Sequence, residues 1–432
     1  MSNAKTLWTR IVCLCVIAWQ AVTPALAYTG KVVDAATLRP IAGAWVTTNQ
    51  TSVQTDASGQ FSISAIARQI GVRAPGYLRR QLDGGALASR KPISLVAFRP
   101  KALYLSVFGI GSTLLRDPAL KLIDDTELNA LVIDVKGDRG LVAYHSKRPL
   151  AGEIGAEKPI NIKDPTAFIA DLHKRGIYII ARVVVFKDTL LATARPEWAV
   201  KTRSGAVWRD REGLAWIDPS RREAWDYTLG LAEEAAQYGV DEIQFDYLRF
   251  PDDNNVVFAQ PNTQQNRVKA IGDFLSEARK RLISYNVFIA ADIFGYVCWN
   301  LDDTHIGQDL KVLSGQVDYV SPMLYPSGFQ FGIPGYLNPV ADPYEIVYRS
   351  LRQTLQRTGL PGARFRPWLQ AFRDYAFDRR LFAGPQILAQ ITAAETAGVN
   401  GWMLWNPRNI YSRNGLQPKQ LLLPLQKTDS SR

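Results

Sequence analysis

Histidine and cysteine are scarce in this chain, three of each among 432 residues. His145, His173 and His305 stand at no spacing that a metal site uses, so neither a metal nor any other cofactor is expected. Cys13 and Cys15 fall in the first 27 residues and Cys298 stands alone, so a chain cleaved after Ala27 can form no internal disulfide. The net charge is +11, yet the basic residues form no block and no nucleic-acid motif is present, which reads as a solvated basic surface. Gly109-Ile110-Gly111 follows a strand-like run but lacks the third glycine of a dinucleotide loop, which argues against a Rossmann site. After the N-terminus no apolar run is long enough to span a membrane, so the mature protein is expected to be soluble.

What is present begins with an export signal. Lys5 and Arg10 precede the apolar run Ile11 to Ala18, and Ala25-Leu26-Ala27 supplies a small-x-small cleavage site. Residues 1–27 are therefore expected to be a signal peptide, with an uncleaved anchor as the alternative. These are its only charged residues, so cleavage lowers the net charge from +11 to +9. An exported chain without disulfides fits a bacterial periplasm or exterior.

Residues 28–98 read as short strands and turns: Gly30–Asp34, the turn into Trp45–Thr48, Asp56-Ala57-Ser58-Gly59 before Phe61-Ser62-Ile63, and Ala74-Pro75-Gly76-Tyr77. The pieces Pro40-Ile41-Ala42-Gly43-Ala44 and Gly59-Gln60-Phe61 resemble the carboxypeptidase regulatory-like domain. That resemblance implies a small β-sandwich serving as a spacer or adhesion module.

From Lys101 the pattern alternates strand with helix. Eight apolar strands are predicted: Ala102–Val107, Ala130–Val135, Ile177–Val185, Glu242–Tyr247, Val287–Ile293, Val317–Leu324, Phe365–Leu369 and Gly401–Trp405. Asp117-Pro118, Asp164-Pro165, Asp218-Pro219 and Asp342-Pro343 are read as helix starts. Gly176, Gly239 and Gly398 are read as helix ends directly before strands. This order predicts an α/β fold, a (β/α)8 TIM barrel over 101–415, behind a small all-β unit and ahead of a tail at 416–432. The long strand-to-helix loops carry Trp198, Trp208, Trp216, Trp299, Phe329 and Tyr336, rings suited to stacking on sugars.

Polar groups gather at the C-terminal ends of the strands. Asp134, Asp246 and Asp292 are expected to converge on one mouth beside Lys136, Arg182 and Arg249. Tyr247, Tyr325, Gln370, Trp405 and the loop residue Trp216 complete the expected substrate site. Asp292 sits among Ala290, Ala291, Ile293 and Phe294, and apolar company raises a carboxyl pKa, as a general acid needs. Asp246, with Arg249 nearby, suits a nucleophile. Two carboxylates on neighbouring strands suit glycoside cleavage. The plainer alternative is a pair of neutralising ion pairs, Asp134–Lys136 and Asp246–Arg249.

The stretches Leu131–Lys136, Gly239–Pro251, Ala291–Gly295, Asp318–Pro326 and Gly401–Asn406 resemble a group of bacterial glycoside hydrolases built on the TIM barrel. The resemblance spans 101–415 and implies hydrolysis of a polysaccharide or oligosaccharide. Carboxylates after the fourth and fifth strands are also similar to the amylase-like arrangement, except that Asp292 stands where a glutamate is usual. A glycan-binding or cell-envelope protein without catalysis is the alternative.

Overall fold

A computed structural model of the chain describes residues 28–63, 68–83 and 91–419. The predicted signal peptide, and the tail after residue 419, lie outside the described residues. Seven short strands come first: β1 (Tyr28–Asp34), β2 (Trp45–Thr47), β3 (Ser52–Gln54), β4 (Gln60–Ile63), β5 (Gln69–Arg73), β6 (Arg80–Asp83) and β7 (Ile93–Leu95). They form two sheets, β4-β1-β7 and β3-β2-β5-β6. Alternation makes this possible: in β4, Phe61 and Ile63 are buried while Gln60 and Ser62 are exposed. Val32, Val46, Ile70, Val72 and Leu95 complete a core of the unit's own.

Eight parallel strands then close a barrel: β8 (Lys101–Leu105), β9 (Ala130–Lys136), β10 (Tyr178–Val184), β11 (Glu242–Asp246), β12 (Phe288–Phe294), β13 (Tyr319–Met323), β14 (Trp368–Gln370) and β15 (Trp402–Trp405). The expected TIM barrel is the observed fold. Its strands are buried on both faces, which is why they read as continuous apolar runs. The predicted C-cap glycines hold left-handed backbone, φ +73° at Gly176, +100° at Gly239 and +74° at Gly398, a region that favours glycine.

Strand ends shift by up to three residues, as where β14 starts at Trp368 rather than Phe365, and three differences from expectation have a local cause. β8 ends at Leu105 because Ser106 caps a short helix, its side chain accepting from Gly109 N. The helix Thr113–Asp125 begins four residues before Asp117-Pro118, since the Ser112 carbonyl already accepts from Arg116 N at 2.7 Å. Asp218 opens no helix. Its carboxylate accepts from Ser220 N and Oγ and from Ala259 N, tying two loops together.

The inward residues of the strands fall into three levels, joined by their contacts. At the N-terminal end lie Tyr178, Glu242, Tyr319 and Arg366. Above them Gln244 donates to Ser321 Oγ at 3.0 Å. At the C-terminal end lie Tyr104, Asp134, Arg182, Asp246, Asp292 and Trp368. The all-β unit closes the N-terminal end. Leu78 and Phe98 pack against the barrel's inner apolar cluster, Gly76 N donates to the Tyr319 hydroxyl at 3.0 Å, and Arg79 pairs with Asp241 at 3.0 Å.

Candidate active site

Asp246 is the last residue of β11, and Asp292 lies on the paired strand β12, where Phe245 stands beside Ala291. Both point into the barrel, because β11 and β12 place every second side chain inward. They are 5% and 1% exposed. Arg182 on β10 is their neighbour. Its Nε and Nη2 donate to Asp246 Oδ2 at 2.8 and 2.6 Å, and its Nη1 donates to Asp134 Oδ1 at 2.6 Å. One guanidinium thus serves two carboxylates. Burial works against its charge, but Asp246 and Asp134 outweigh burial and hold Arg182 well above its ordinary value.

Asp292 receives no such help. Its Oδ1 accepts from the Trp368 indole N–H at 2.8 Å, and its Oδ2, buried, has no hydrogen-bond partner. Burial, then the charge of Asp246, push its carboxyl well above the ordinary range, with Arg182 and the Trp368 bond opposing. Asp134 is raised by burial as well, against the pull of Arg182 and of the Tyr104 hydroxyl, which donates to its Oδ2 at 2.7 Å.

Tyr247 adopts φ +48°, an uncommon conformation for a bulky side chain. The turn brings its N–H back to Asp246 Oδ1 at 2.5 Å. Asp246 is therefore held on both oxygens. Such local strain persists only where surrounding structure fixes it. Here the Lys187 ammonium sits 4.8 Å over the Tyr247 ring, and the Trp216 ring meets it edge-on at 5.5 Å.

Trp405 is half-buried and stacks on Tyr104 at 4.0 Å between centroids, with Arg182 4.9 Å over its ring. Tyr325, two residues past the end of β13, is also half-buried. The surrounding protein, then Asp292 and Asp246, hold its phenol well above its ordinary value. A cleft of ≈ 230 Å³ opens beside these groups, lined by Tyr104, Phe108, Asp134, Asp138, Arg182, Tyr247 and Trp405 among others. Asp246 and Asp292 do not line it.

Four expected site residues are placed elsewhere. Lys136 is fully buried and pairs with Asp188 at 2.7 Å, also donating to Val184 O at 2.8 Å. The cause is a bulge. Asp134 pairs with Arg182 but Lys136 with Val183, so Val135 is an extra residue and the phase of β9 flips after Asp134. Arg249 makes no hydrogen bond or ion pair with Asp246; its guanidinium lies 4.9 Å over Trp216 and 5.5 Å over Tyr247. Trp216 is 2% exposed and donates to Asp210 at 3.0 Å, so its ring packs the loop. Gln370 is fully buried and its amide bonds Ser327 N, Ser327 Oγ and Phe372 O. Neither ion pair of the plainer alternative forms, because Arg182 takes Asp134 and Asp246 together.

Tyr104, Trp368 and Asp138 were not among the expected residues. Period-two counting could have found the first two, since Tyr104 follows Ala102 inward and Trp368 follows Arg366. Asp138 sits on the loop after β9, where no periodicity reaches.

A model of the family described as "Putative glycosyl hydrolase domain" matches residues 102–411. Among solved structures, a hypothetical protein from Ruminiclostridium thermocellum is 38% identical over a match covering 44% of this chain and 96% of that one, with a TM-score of 0.40. The glycoside hydrolase domain of PgaB (BpsB) from Bordetella bronchiseptica is 12% identical, covers 72% of this chain and 95% of its own, and has a TM-score of 0.53, which shows the shared barrel. The glycoside hydrolase domain of PelA from Pseudomonas aeruginosa is 13% identical, with 72% and 97% covered and a TM-score of 0.43. No curated protein matches the chain.

Proposed function

The chain belongs to this glycosyl hydrolase family, and from that premise we propose an exported enzyme that cleaves a polysaccharide or oligosaccharide with Asp246 and Asp292. The observation that carries the reading is the pairing of unlike carboxyls. Asp246 is held by two Arg182 donors and a backbone N–H, as an anion requires. Asp292 is buried with no cation bound to it, and burial and the charge of Asp246 favour its protonated form. Unlike environments for two neighbouring carboxyls are how one site runs both roles.

Adjacent strands lie about 4.8 Å apart, which suits the roughly 5–5.5 Å separation of retaining glycosidases. In this scheme the Asp292 carboxyl gives its proton to the glycosidic oxygen as that bond breaks. Asp246 attacks the anomeric carbon and forms a glycosyl ester. Asp292, now a carboxylate, takes a proton from water, and the hydroxide displaces Asp246. Trp405 and Tyr325 contact the sugar. Residues 28–98 are read as a carboxypeptidase regulatory-like module, and residues 1–27 as a signal peptide that sends the enzyme to a periplasm or exterior. Among the described residues no helix is long and apolar enough to cross a membrane.

One observation favours a second assignment. Asp134 and Asp138, not Asp246 and Asp292, line the open cleft. In that assignment Asp134 is the acid and Asp138 the base. The test is reducing-end release by the chain from Tyr28 onward, on bacterial exopolysaccharides, α-glucans and galactosaminoglycans, with each aspartate changed to asparagine. Loss in Asp246→Asn and Asp292→Asn alone supports the first assignment, and loss in Asp134→Asn and Asp138→Asn alone the second. An inverted anomer in the first-formed product removes Asp246 as nucleophile.

A further inference from the structure

The cleft over β8, β9 and β10 is one side of the mouth. In the closed barrel, β13 and β14 stand across the ring from β9. On that far side Tyr325, which senses the charges of Asp292 and Asp246, meets the Phe372 ring at 5.6 Å between centroids. Phe372 in turn lies parallel to Tyr375 within 10°, at 6.2 Å. Tyr375 is 49% exposed. The three rings lead from the carboxylates outward.

An exposed ring is unremarkable where its loop is loose. Here the loop is fixed from within. Asp374, between the two rings, is 1% exposed. Its carboxylate accepts from Ser327 Oγ at 2.7 Å and from the backbone N–H groups of Ala376, Phe377 and Arg379 at 3.0, 2.9 and 2.9 Å. Burial alone would raise this carboxyl, but those bonds bring it down to about 2, so they persist through the working range of pH. A ring held in place loses little freedom when a ligand covers it. Glycine at 328 keeps the approach open: a Cβ there would stand 3.9 Å from the Tyr375 hydroxyl and 4.0 Å from Tyr325 Cβ, so a longer side chain would fill the gap.

We propose that Phe372 and Tyr375 form a second glycan subsite, which takes a pyranose ring of the same chain across the mouth from the sugar at Trp405. A chain bound at both places passes over Asp246 and Asp292, so the enzyme cuts within chains rather than at their ends. The proposal rests on the glycoside hydrolase reading. Its occupant follows from continuity, because the ring row starts at Tyr325, just past the end of β13, the strand paired with the one that carries Asp292.

The experiment measures binding by calorimetry to the chain from Tyr28 onward, carrying Asp246→Asn to prevent turnover. The probes are the hexamer and dimer of the chito-, malto- and cello-oligosaccharide series. At least one hexamer should bind about tenfold tighter than its dimer, a gain typical of one buried aromatic anchor. Tyr375→Ala, which removes the ring, and Gly328→Leu, which blocks the approach, should each erase that gain, while Tyr375→Phe keeps it. Hexamer and dimer binding alike, no hexamer binding in any series, or an unchanged gain in both variants overturns the proposal. Loss of turnover in Asp246→Asn with no length dependence keeps the glycosidase reading and removes the subsite. Length dependence with full turnover in Asp246→Asn keeps the subsite and removes Asp246 from the reaction.

Discussion

The two ends of the barrel both bury charge, and they balance it differently. At the N-terminal end Glu242 and Arg366 are each fully buried. Arg366 Nη1 meets both Glu242 oxygens at 2.8 Å, the Tyr178 hydroxyl adds a donor at 3.0 Å, and the guanidinium lies 4.2 Å over Tyr319. One cation answers one anion, and the all-β unit closes the end with Leu78 and Phe98. At the C-terminal end one guanidinium binds two of three buried carboxylates, and the third, Asp292, is left with a single indole donor. A buried charge without a partner is costly, so it sheds the charge by keeping its proton. Burial raises the carboxyl at both ends, but at the closed end Arg366 is the next influence and opposes it, whereas at the mouth the neighbouring Asp246 adds to it, which on the proposed reading suits Asp292 to the acid role.

That contrast predicts unlike responses to similar changes. The largest effect is expected at the mouth. Asp246→Asn should lower turnover by about 10³-fold or more, as loss of a covalent participant does, with the melting temperature little changed. Progress curves beside thermal melts check this, and a variant that loses its fold instead breaks the contrast. At the closed end the same kind of change should act on stability. Glu242→Leu alone leaves Arg366 buried and unpaired and should cost about 3–5 kcal/mol, whereas Glu242→Leu with Arg366→Met should recover most of that. Denaturant titration of the two variants decides it; equal losses would mean that the pair is not a closed unit. A smaller effect is expected at the rim. Trp405→Ala should weaken oligosaccharide binding by about 1–3 kcal/mol, measured by calorimetry, and unchanged affinity would leave that ring as packing.

Much of this was legible in the residues. The eight strands, the left-handed glycines before three of them, and the inward placement of Asp246 and Asp292 all follow from local periodicity and cap chemistry. Four other features do not. Lys136 leaves the mouth because of one extra residue in β9, which no period-two count includes. Arg182 could be placed on its strand, but its choice of Asp134 and Asp246 over their sequence neighbours depends on barrel closure. The loop aromatics could not be sorted by sequence: Trp216 and Phe329 are buried, while Tyr375, outside the expected set, is half open. Exposure of a loop ring is a tertiary fact. So is the covering of the barrel's N-terminal end by Leu78, since it packs against residues far along the chain.

The central claim is that Asp292 holds its proton because it is buried and because Asp246 stands beside it. Native Asp292 then binds a proton more tightly than the unfolded chain does. Its contribution to stability is full below the ordinary carboxylate range and is lost as pH rises through the raised value. The direct measurement is a carboxyl-carbon NMR titration of labelled aspartate in the chain from Tyr28 onward, with Asp292→Asn to assign the resonance. Asp292 is predicted to titrate well above the ordinary carboxylate range and to fall toward it in Asp246→Asn, where the neighbouring charge is gone and Arg182 is released. A titration at the ordinary value in the natural chain, or a raised value unmoved by Asp246→Asn, would contradict the claim.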